Sequence, residues 1–464
     1  MQSKYIIQTR TVPHRFKPIT KSGIIAWEEG CLKCAVCAKR ECVYRVYDSR
    51  GLDARQMIDS VDNQCMNCFK CIQNCPKELI HKSINPDFMA MGDSYWSPEI
   101  ISTLWNESKT GKIPVSGAGY PGPFSGTGFD SMWTDMSEIV RPTRDGIHGR
   151  EYISTAVDIG GAPKNLHFTD KGEMGGDYPR LVDIPIPIII RMPSFGSLSE
   201  KTFRGWAMAA ARLRTLLAIP FEKMDRRMKD FYYHLMPIVS SETILTEKYE
   251  KIRMVEILWN KDLKKTIRTV NKFFPTALLC VRLPMEYGVE EKTLAIVDSG
   301  CNVINLEGTS DGRSKDDESR FVKDMIHEIH LTLVNKGIRD GVSILASGGL
   351  AMAEHVAKAI LCGADAVFVD FPILIALECR MCRRCEKGLS CPVKIETASS
   401  KWVASRTINM LGAWHNQLLE VMGAMGIRDI RRLRGEAGRA VFFEEIDRET
   451  FGSLCEVEKG FELE

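Results

Sequence analysis

The chain has no surplus of charge of either sign: 62 Lys and Arg stand against 60 Asp and Glu, a net of +2. A nucleic-acid binder needs a strongly basic face, so that class finds no support. Long hydrophobic runs are missing too. The longest apolar stretch, residues 184–190, is interrupted by Pro185 and Pro187 and falls far short of the about 18 residues of a membrane-crossing helix. Residues 1–11 are mixed polar and lack the apolar core of a secretory signal. The expected compartment is therefore a reducing cytoplasm. The remaining composition, 44% hydrophobic and 26% charged, is that of an ordinary globular protein.

What the chain does have is cysteine. Of its sixteen cysteines, twelve fall into three tight groups, and in a reducing compartment such density is expected only of ligands. The other four, Cys280, Cys301, Cys362 and Cys455, are scattered and read as small buried hydrophobes. The first two groups are Cys31-x2-Cys34-x2-Cys37-x4-Cys42 and Cys65-x2-Cys68-x2-Cys71-x3-Cys75-Pro76. A cubane needs four thiolates converging on one small body, and gaps of two residues let one tight loop supply three of them. The second group has the bacterial-ferredoxin spacing, in which the fourth cysteine of each run ligates the other cluster. On that pattern Cys31, Cys34, Cys37 and Cys75 hold one [4Fe–4S] cluster, and Cys65, Cys68, Cys71 and Cys42 the other. Two zinc knuckles or disulfides do not account for eight cysteines in this double register. The third group, Cys379-x2-Cys382-x2-Cys385-x5-Cys391-Pro392, reads as a further iron–sulfur site, [4Fe–4S] or [3Fe–4S]. A structural zinc site is the competing reading.

A length of 464 residues allows about three domains. Residues 1–26 read as an arm and 27–85 as a ferredoxin-like module whose fold its clusters hold together. Residues 86–180 are rich in Gly and Pro and read as a covering segment with few regular elements. Residues 181–397 alternate short apolar runs with helical stretches, as in a parallel sheet. The span suits a (β/α)8 TIM barrel, an α/β fold, with the third cysteine group, 379–391, at its end. Residues 398–464 read as C-terminal helices and a tail. Within the barrel, Ile344-Leu-Ala-Ser347-Gly348-Gly349 is a strand running into a glycine turn, and Gly363-Ala364-Asp365-Ala-Val-Phe-Val369 supplies the next strand. Glycines that let backbone approach a phosphate, next to a helix N-terminus, point to FMN. Arg282 and Glu307 are expected at the barrel mouth as candidate catalytic residues, because both end predicted strands; an ordinary salt-bridged pair is the other reading. His327-Glu-Ile-His330 lacks metalloprotease spacing and reads as a solvated helix face.

Taken together these motifs resemble the short archaeal-type glutamate synthases, an FMN-binding synthase domain fused to a ferredoxin module. Pro193-Ser194-Phe195-Gly196-Ser-Leu-Ser199 is similar to that family's turn at the flavin, and Gly308-Thr-Ser-Asp-Gly312 to its glycine-rich loop. Ser347, Gly348, Gly349, Gly363 and Ala364 fall at its phosphate site, Cys379–Cys391 at its cluster, and Leu433-Arg-Gly435 at its ending. The resemblance implies FMN held by these residues and by Ser194 and Gly196. It also implies electron input from a ferredoxin or an NAD(P)H-oxidising flavoprotein subunit, in a multi-subunit complex. The sequence departs from the family at Ile219-Pro-Phe-Glu-Lys-Met224, at Met236-Pro-Ile-Val-Ser-Ser-Glu242 and around Trp259, where substrate-side motifs are missing. Arg282 stands in place of a strand lysine, and a guanidinium fork is no equivalent of an ammonium point charge. Met1-Gln-Ser-Lys4 offers no N-terminal cysteine of the glutaminase type. The expectation is an oxidoreductase that passes electrons between ferredoxin-type clusters and FMN. Its rivals are a true glutamate synthase with a reworked pocket and a flavin-free scaffold carrying clusters.

Overall fold

The fold is described from a computed structural model. It describes residues 5–19, 21–26, 30–48, 52, 68–113, 126–134, 153–162, 167–173, 175, 178–240, 242–446 and 448. Eight parallel strands close into a barrel: β1 (Ile188–Arg191), β2 (Leu217–Pro220), β3 (Leu235–Val239), β4 (Met254–Leu258), β5 (Leu278–Pro284), β6 (Val303–Glu307), β7 (Ser343–Ser347) and β8 (Ala366–Val369), with β8 pairing back onto β1. Parallel strands are covered on both faces and so read as continuous apolar runs. Ile188, Ile189 and Ile190 in β1 and all four residues of β8 are buried.

Helices follow six of the eight strands. After β2 come only the 3₁₀ turns Phe221–Lys223 and Arg226–His234, and the described residues between β3 and β4 form turns and no helix. The sequence departs from the resembled family at these same two strand ends. The helix after β1, Glu200–Leu213, starts at a Ser199–Thr202 capping box. It packs on the long helix Ser400–Ala424 through Gly205, where a Cβ would lie 2.6 Å from Val403.

The 86–180 segment is more regular than its composition suggested. Helix Pro98–Thr110 buries Ile100, Ile101, Leu104 and Trp105. The Ser97 side chain and Pro98 start it, and Gly111, at φ 69°, ends it, the asymmetry expected of helix ends. Strands Val157–Gly160 and Leu181–Ile184 pair antiparallel just before β1. They sit at the N-terminal end of the barrel, where the Gly160 amide donates to Ser343 Oγ at 2.9 Å. The aromatic-bearing stretch 114–125 lies outside the described residues.

In the N-terminal module Ser22–Ala26 pairs antiparallel with Ile80–Ile84. Its small core is Ala38, Val46, Tyr47 and Ile80, with Cys37, Cys42, Cys71 and Cys75 packed against it. Arm residues 5–15 run across the long helix. Arg10 exchanges backbone bonds with the Asn409 amide, and Tyr5 donates to the Leu213 carbonyl at 2.7 Å. No helix among the described residues is long and apolar enough to cross a membrane.

Candidate functional site

Charged side chains rarely sit inside apolar strands unless they are paired. Here they converge at the C-terminal end of the barrel. Arg191 ends β1, Glu256 interrupts the apolar run of β4, Arg282 lies near the end of β5, and Glu307 ends β6. Glu256 is fully buried and accepts from Arg191 Nη2 at 2.6 Å, Arg282 Nη2 at 2.5 Å and Asn305 Nδ2 at 2.8 Å. Glu307, a quarter exposed, lies 3.4 Å from Arg191 and 3.3 Å from Arg282. Burial alone would raise the Glu256 pKa, but the two arginines outweigh it and hold the carboxyl down at about 2. The Arg282 pKa, which burial would lower, is raised by Glu256 and Glu307. Arg191 also stacks over Phe368, 4.0 Å from the ring centre. Sequence reasoning brought Arg282 and Glu307 to this place and missed Arg191, Glu256 and Asn305. The signal for them was present, in a charge within Met254-Val-Glu256-Ile-Leu258 and another closing Ile188-Ile-Ile-Arg191.

Ser347 ends β7 and donates its hydroxyl to Asn305 Oδ1 at 3.2 Å, so it faces the same network. Gly348 (φ 96°) and Gly349 (φ 66°) need both their conformation and their lack of a side chain. A Cβ would stand 2.6 Å from the Thr309 carbonyl at the first and 2.5 Å from Gly312 Cα at the second. The two glycine loops after β6 and β7 are thus packed backbone to backbone. The covering segment closes over them: the Tyr95 hydroxyl donates to the Gly349 carbonyl, and Trp96 Nε1 to the Ser310 carbonyl at 3.1 Å. Asp130 binds His355 Nε2 at 3.0 Å, in the helix after β7. The loop after β1, with Ser194 exposed and Gly196 packed against Leu198 and Leu374, lies at the same end of the barrel.

Gly363 and Ala364 do not belong there. Gly363 caps the C-terminus of helix Ala353–Cys362, and β8 begins only at Ala366. Both residues therefore lie at the N-terminal end of the barrel, opposite the mouth. Their surroundings are structural. The Gly363 carbonyl accepts from Arg339, Asp365 pairs with Arg339 at 2.9 Å and with Arg434 at 2.8 Å, and a Cβ on Gly363 would run into His330. His330 is buried and accepts from Arg339 Nε at 3.1 Å, not part of a solvated face as its motif suggested. The loop that does follow β8 is capped by its own carboxylate: Asp370 accepts from the Phe371 amide at 2.6 Å, and Pro372 has no amide hydrogen. Burial raises the pKa of Asp370.

These residues fit a flavin at its ring end. The buried Nε atoms of Arg191 and Arg282 have no acceptor among the described residues, and the pyrimidine edge of a flavin is lined with acceptors. At the phosphate end, the Ser347–Gly349 turn is buried beneath the covering segment, and on the other side the Phe371 amide is already taken by the Asp370 carboxylate.

The third cysteine loop stands beside this mouth. Arg383, between Cys382 and Cys385, stacks on Phe195 of the β1 loop at 5.1 Å, and Phe195 packs on Phe371 at 5.1 Å. The other thiols of the loop lie near Cys379, whose pKa is pushed up by burial and, to a lesser degree, by Cys382, Cys391 and Cys385. Cys379 is buried and its sulfur accepts from the Met381 amide at 3.4 Å, a bond suited to a thiolate. The chain leaving the N-terminal module crosses this loop, where the Gly92 amide donates to the Arg380 carbonyl at 3.1 Å and Asp93 faces Arg383. In the module itself Cys37 has Cys71, Cys34 and Cys75 around it, and the Cys75 sulfur accepts from the Leu79 amide at 3.4 Å. Cys31 and Cys42 are half-buried and Cys68 is exposed; Cys65 lies outside the described residues. Cys280, Cys301 and Cys362 are buried, as expected of them, and Cys455 is outside the described residues.

Residues 249–428 match the conserved region in glutamate synthase. The archaeal glutamate synthase [NADPH] of Archaeoglobus fulgidus is 23% identical over 92% of this chain and 95% of its own length. The archaeal-type glutamate synthase [NADPH] of Thermotoga maritima is 23% identical over 91% and 95%. Among solved structures, a flavocytochrome b2 variant with sulfite bound covers 68% of this chain and 76% of its own at 10% identity, with a TM-score of 0.42.

Proposed function

We propose, from the premise that this chain is a homologue of the archaeal-type glutamate synthases along nine tenths of its length, that it is an iron–sulfur flavoprotein acting as an electron-transfer oxidoreductase component. Two ferredoxin-type clusters in the 27–85 module, a third iron–sulfur cluster on Cys379, Cys382, Cys385 and Cys391, and one FMN at the barrel mouth form its redox chain. A flavin exchanges electrons in pairs and clusters hand them on singly. The observation that carries this reading is the position of the third cysteine loop. It touches the chain leaving the cysteine-rich module on one side, at Arg380, and the barrel mouth on the other, through Arg383 and Phe195.

In this reading Arg191 and Arg282 hold the ring end of the flavin, with Glu256 and Glu307 fixing their orientation. Ser347, Gly348 and Gly349 receive the phosphate, and Ser194 and Gly196 form the neighbouring wall. Gly363 and Ala364 have no part in it. The partner is a redox subunit, an NAD(P)H-oxidising flavoprotein or a ferredoxin, in a cytoplasmic multi-subunit complex. A second reading, glutamate formation from 2-oxoglutarate and ammonia, is favoured by homology that spans 92% of the chain. The mouth argues against it. Both arginines there are already paired with carboxylates, so a dicarboxylate finds no unneutralised cation among them. The deciding experiment gives the anaerobically reduced protein 2-oxoglutarate with ammonia and, separately, artificial one-electron acceptors. Rapid reoxidation by the acceptors without glutamate supports the electron-transfer reading. Stoichiometric glutamate establishes the synthase instead.

A further inference from the structure

We infer that the Cys379–Cys391 loop holds a four-iron cluster of ferredoxin type on all four of its thiolates, with Cys382 on the solvent-facing iron. The inference rests on the reading above that this loop carries a cluster at all, and adds which cluster it is.

Between Cys31, Cys34 and Cys37, two non-glycine residues are left-handed: Lys33 (φ 53°), just before the middle cysteine, and Ala35 (φ 54°), just after it. Between Cys379, Cys382 and Cys385 the same two places are left-handed again, at Met381 (φ 53°) and Arg383 (φ 50°). In the remaining group the residue after the middle cysteine, Phe69, has φ 57°. The left-handed conformation is sterically unfavourable for a non-glycine residue, so such a pair is not adopted without cause. It coils the loop so that three successive thiols face one point.

The fourth cysteines repeat a second feature. Arg45, Glu78 and Lys394 each stand three residues beyond a fourth cysteine, at φ 56°, 53° and 41°. Each donates its amide to that cysteine's carbonyl, at 3.4 Å from Cys42, 3.0 Å from Cys75 and 3.1 Å from Cys391. Cys75 and Cys391 are both followed by proline. A three-iron cluster has three thiolate ligands, so it would not require Cys391 to sit in the turn used by the two ferredoxin-type fourth cysteines. A zinc knuckle would not require the doubly left-handed loop. Exposure repeats as well: the middle cysteines Cys34, Cys68 and Cys382 are all exposed, whereas Cys379 is buried and Cys385 and Cys391 are half-buried. An iron held by Cys382 would therefore face solvent. Its loss would leave the three inner thiolates holding a three-iron remnant.

The test compares the full-length protein with Cys382→Ser, both purified anaerobically, by iron, zinc and flavin analysis and by EPR of the oxidised state. The wild type should contain about twelve irons, the sum of three cubanes, and be EPR-silent when oxidised. C382S should lose one iron, gain about one spin of three-iron signal per chain, and keep its flavin. If the oxidised wild type already shows that signal and C382S does not change its iron, the site is natively three-iron and the inference fails. If the wild type has about eight irons, no such signal and about one zinc, the underlying reading of a third cluster fails instead. The wild-type measurement alone separates these outcomes, so the conclusion does not depend on C382S folding.

Discussion

Glu256→Gln is the substitution that bears most directly on the barrel mouth. It keeps the shape of the side chain and an acceptor for Asn305, but removes the charge between Arg191 and Arg282. The Glu256 pKa falls from 4.5 to about 2 in the fold, which at about 1.4 kcal/mol per pH unit amounts to about 3 kcal/mol. Removing one partner of a buried ion pair costs about 3–5 kcal/mol by independent reckoning, because the other charge stays buried. A group whose folded pKa is depressed contributes in full above its unfolded value and loses that contribution as pH falls toward the folded one. At neutral pH the whole effect is therefore in play. We expect guanidinium unfolding, followed by tryptophan fluorescence under anaerobic conditions, to shift by about 3 kcal/mol with an unchanged slope. Glu307→Gln is the control. Glu307 is a quarter exposed and meets the same arginines at 3.3 and 3.4 Å, so its loss should cost about 1 kcal/mol or less. An E256Q protein within about 1 kcal/mol of wild type, or an E307Q protein equally destabilised, would refute the role given to Glu256 as the anchor of the mouth.

Cys68→Ser should remove a cluster and loosen the N-terminal module while leaving flavin on the barrel; unchanged iron content would overturn the ligand assignment. Gly348→Ala would place a methyl group 2.6 Å from the Thr309 carbonyl and push apart the two glycine loops. Flavin affinity measured by fluorescence should fall about tenfold or more, equivalent to about 1.4 kcal/mol, and undiminished affinity would mean the phosphate lies elsewhere. Burial, then Arg339, lowers the His330 pKa to about 4, so the unfolded chain takes up a proton between about 6.5 and 4 that the fold refuses. Stability should drop as pH falls through that window, and His330→Gln should flatten the slope; an identical slope in the variant would show that His330 does not contribute.

Much of the fold was legible because its signals are local. The cysteine groups were found by spacing, and β1 and β5 to β8 by short apolar runs. The strands β2 and β3 were not singled out, because Pro220 and Pro237 lie in them and proline argues against a strand interior. β4 was hidden by Glu256, whose charge is acceptable only because Arg191 and Arg282 reach it from other strands. Helix Pro98–Thr110 was overlooked in a Gly- and Pro-rich stretch, although Ser97-Pro98 and Gly111 are recognisable helix ends. The error at Gly363 and Ala364 was one of direction. Residues that precede a barrel strand lie at the end away from the mouth, and chain order alone contains that information. The pairing of Asp365 with Arg339 and Arg434, which gives the region its structural role, joins residues too far apart in sequence to be read in advance.

The measurement that tests the central claim most directly is cofactor content of the anaerobically purified full chain: acid-released flavin, iron and sulfide per polypeptide. One FMN with about twelve irons and as many sulfides is the result expected of an electron-transfer flavoprotein with three clusters. Full iron with no flavin would contradict it and make the chain a cluster-bearing scaffold whose barrel mouth is held shut by its own charges.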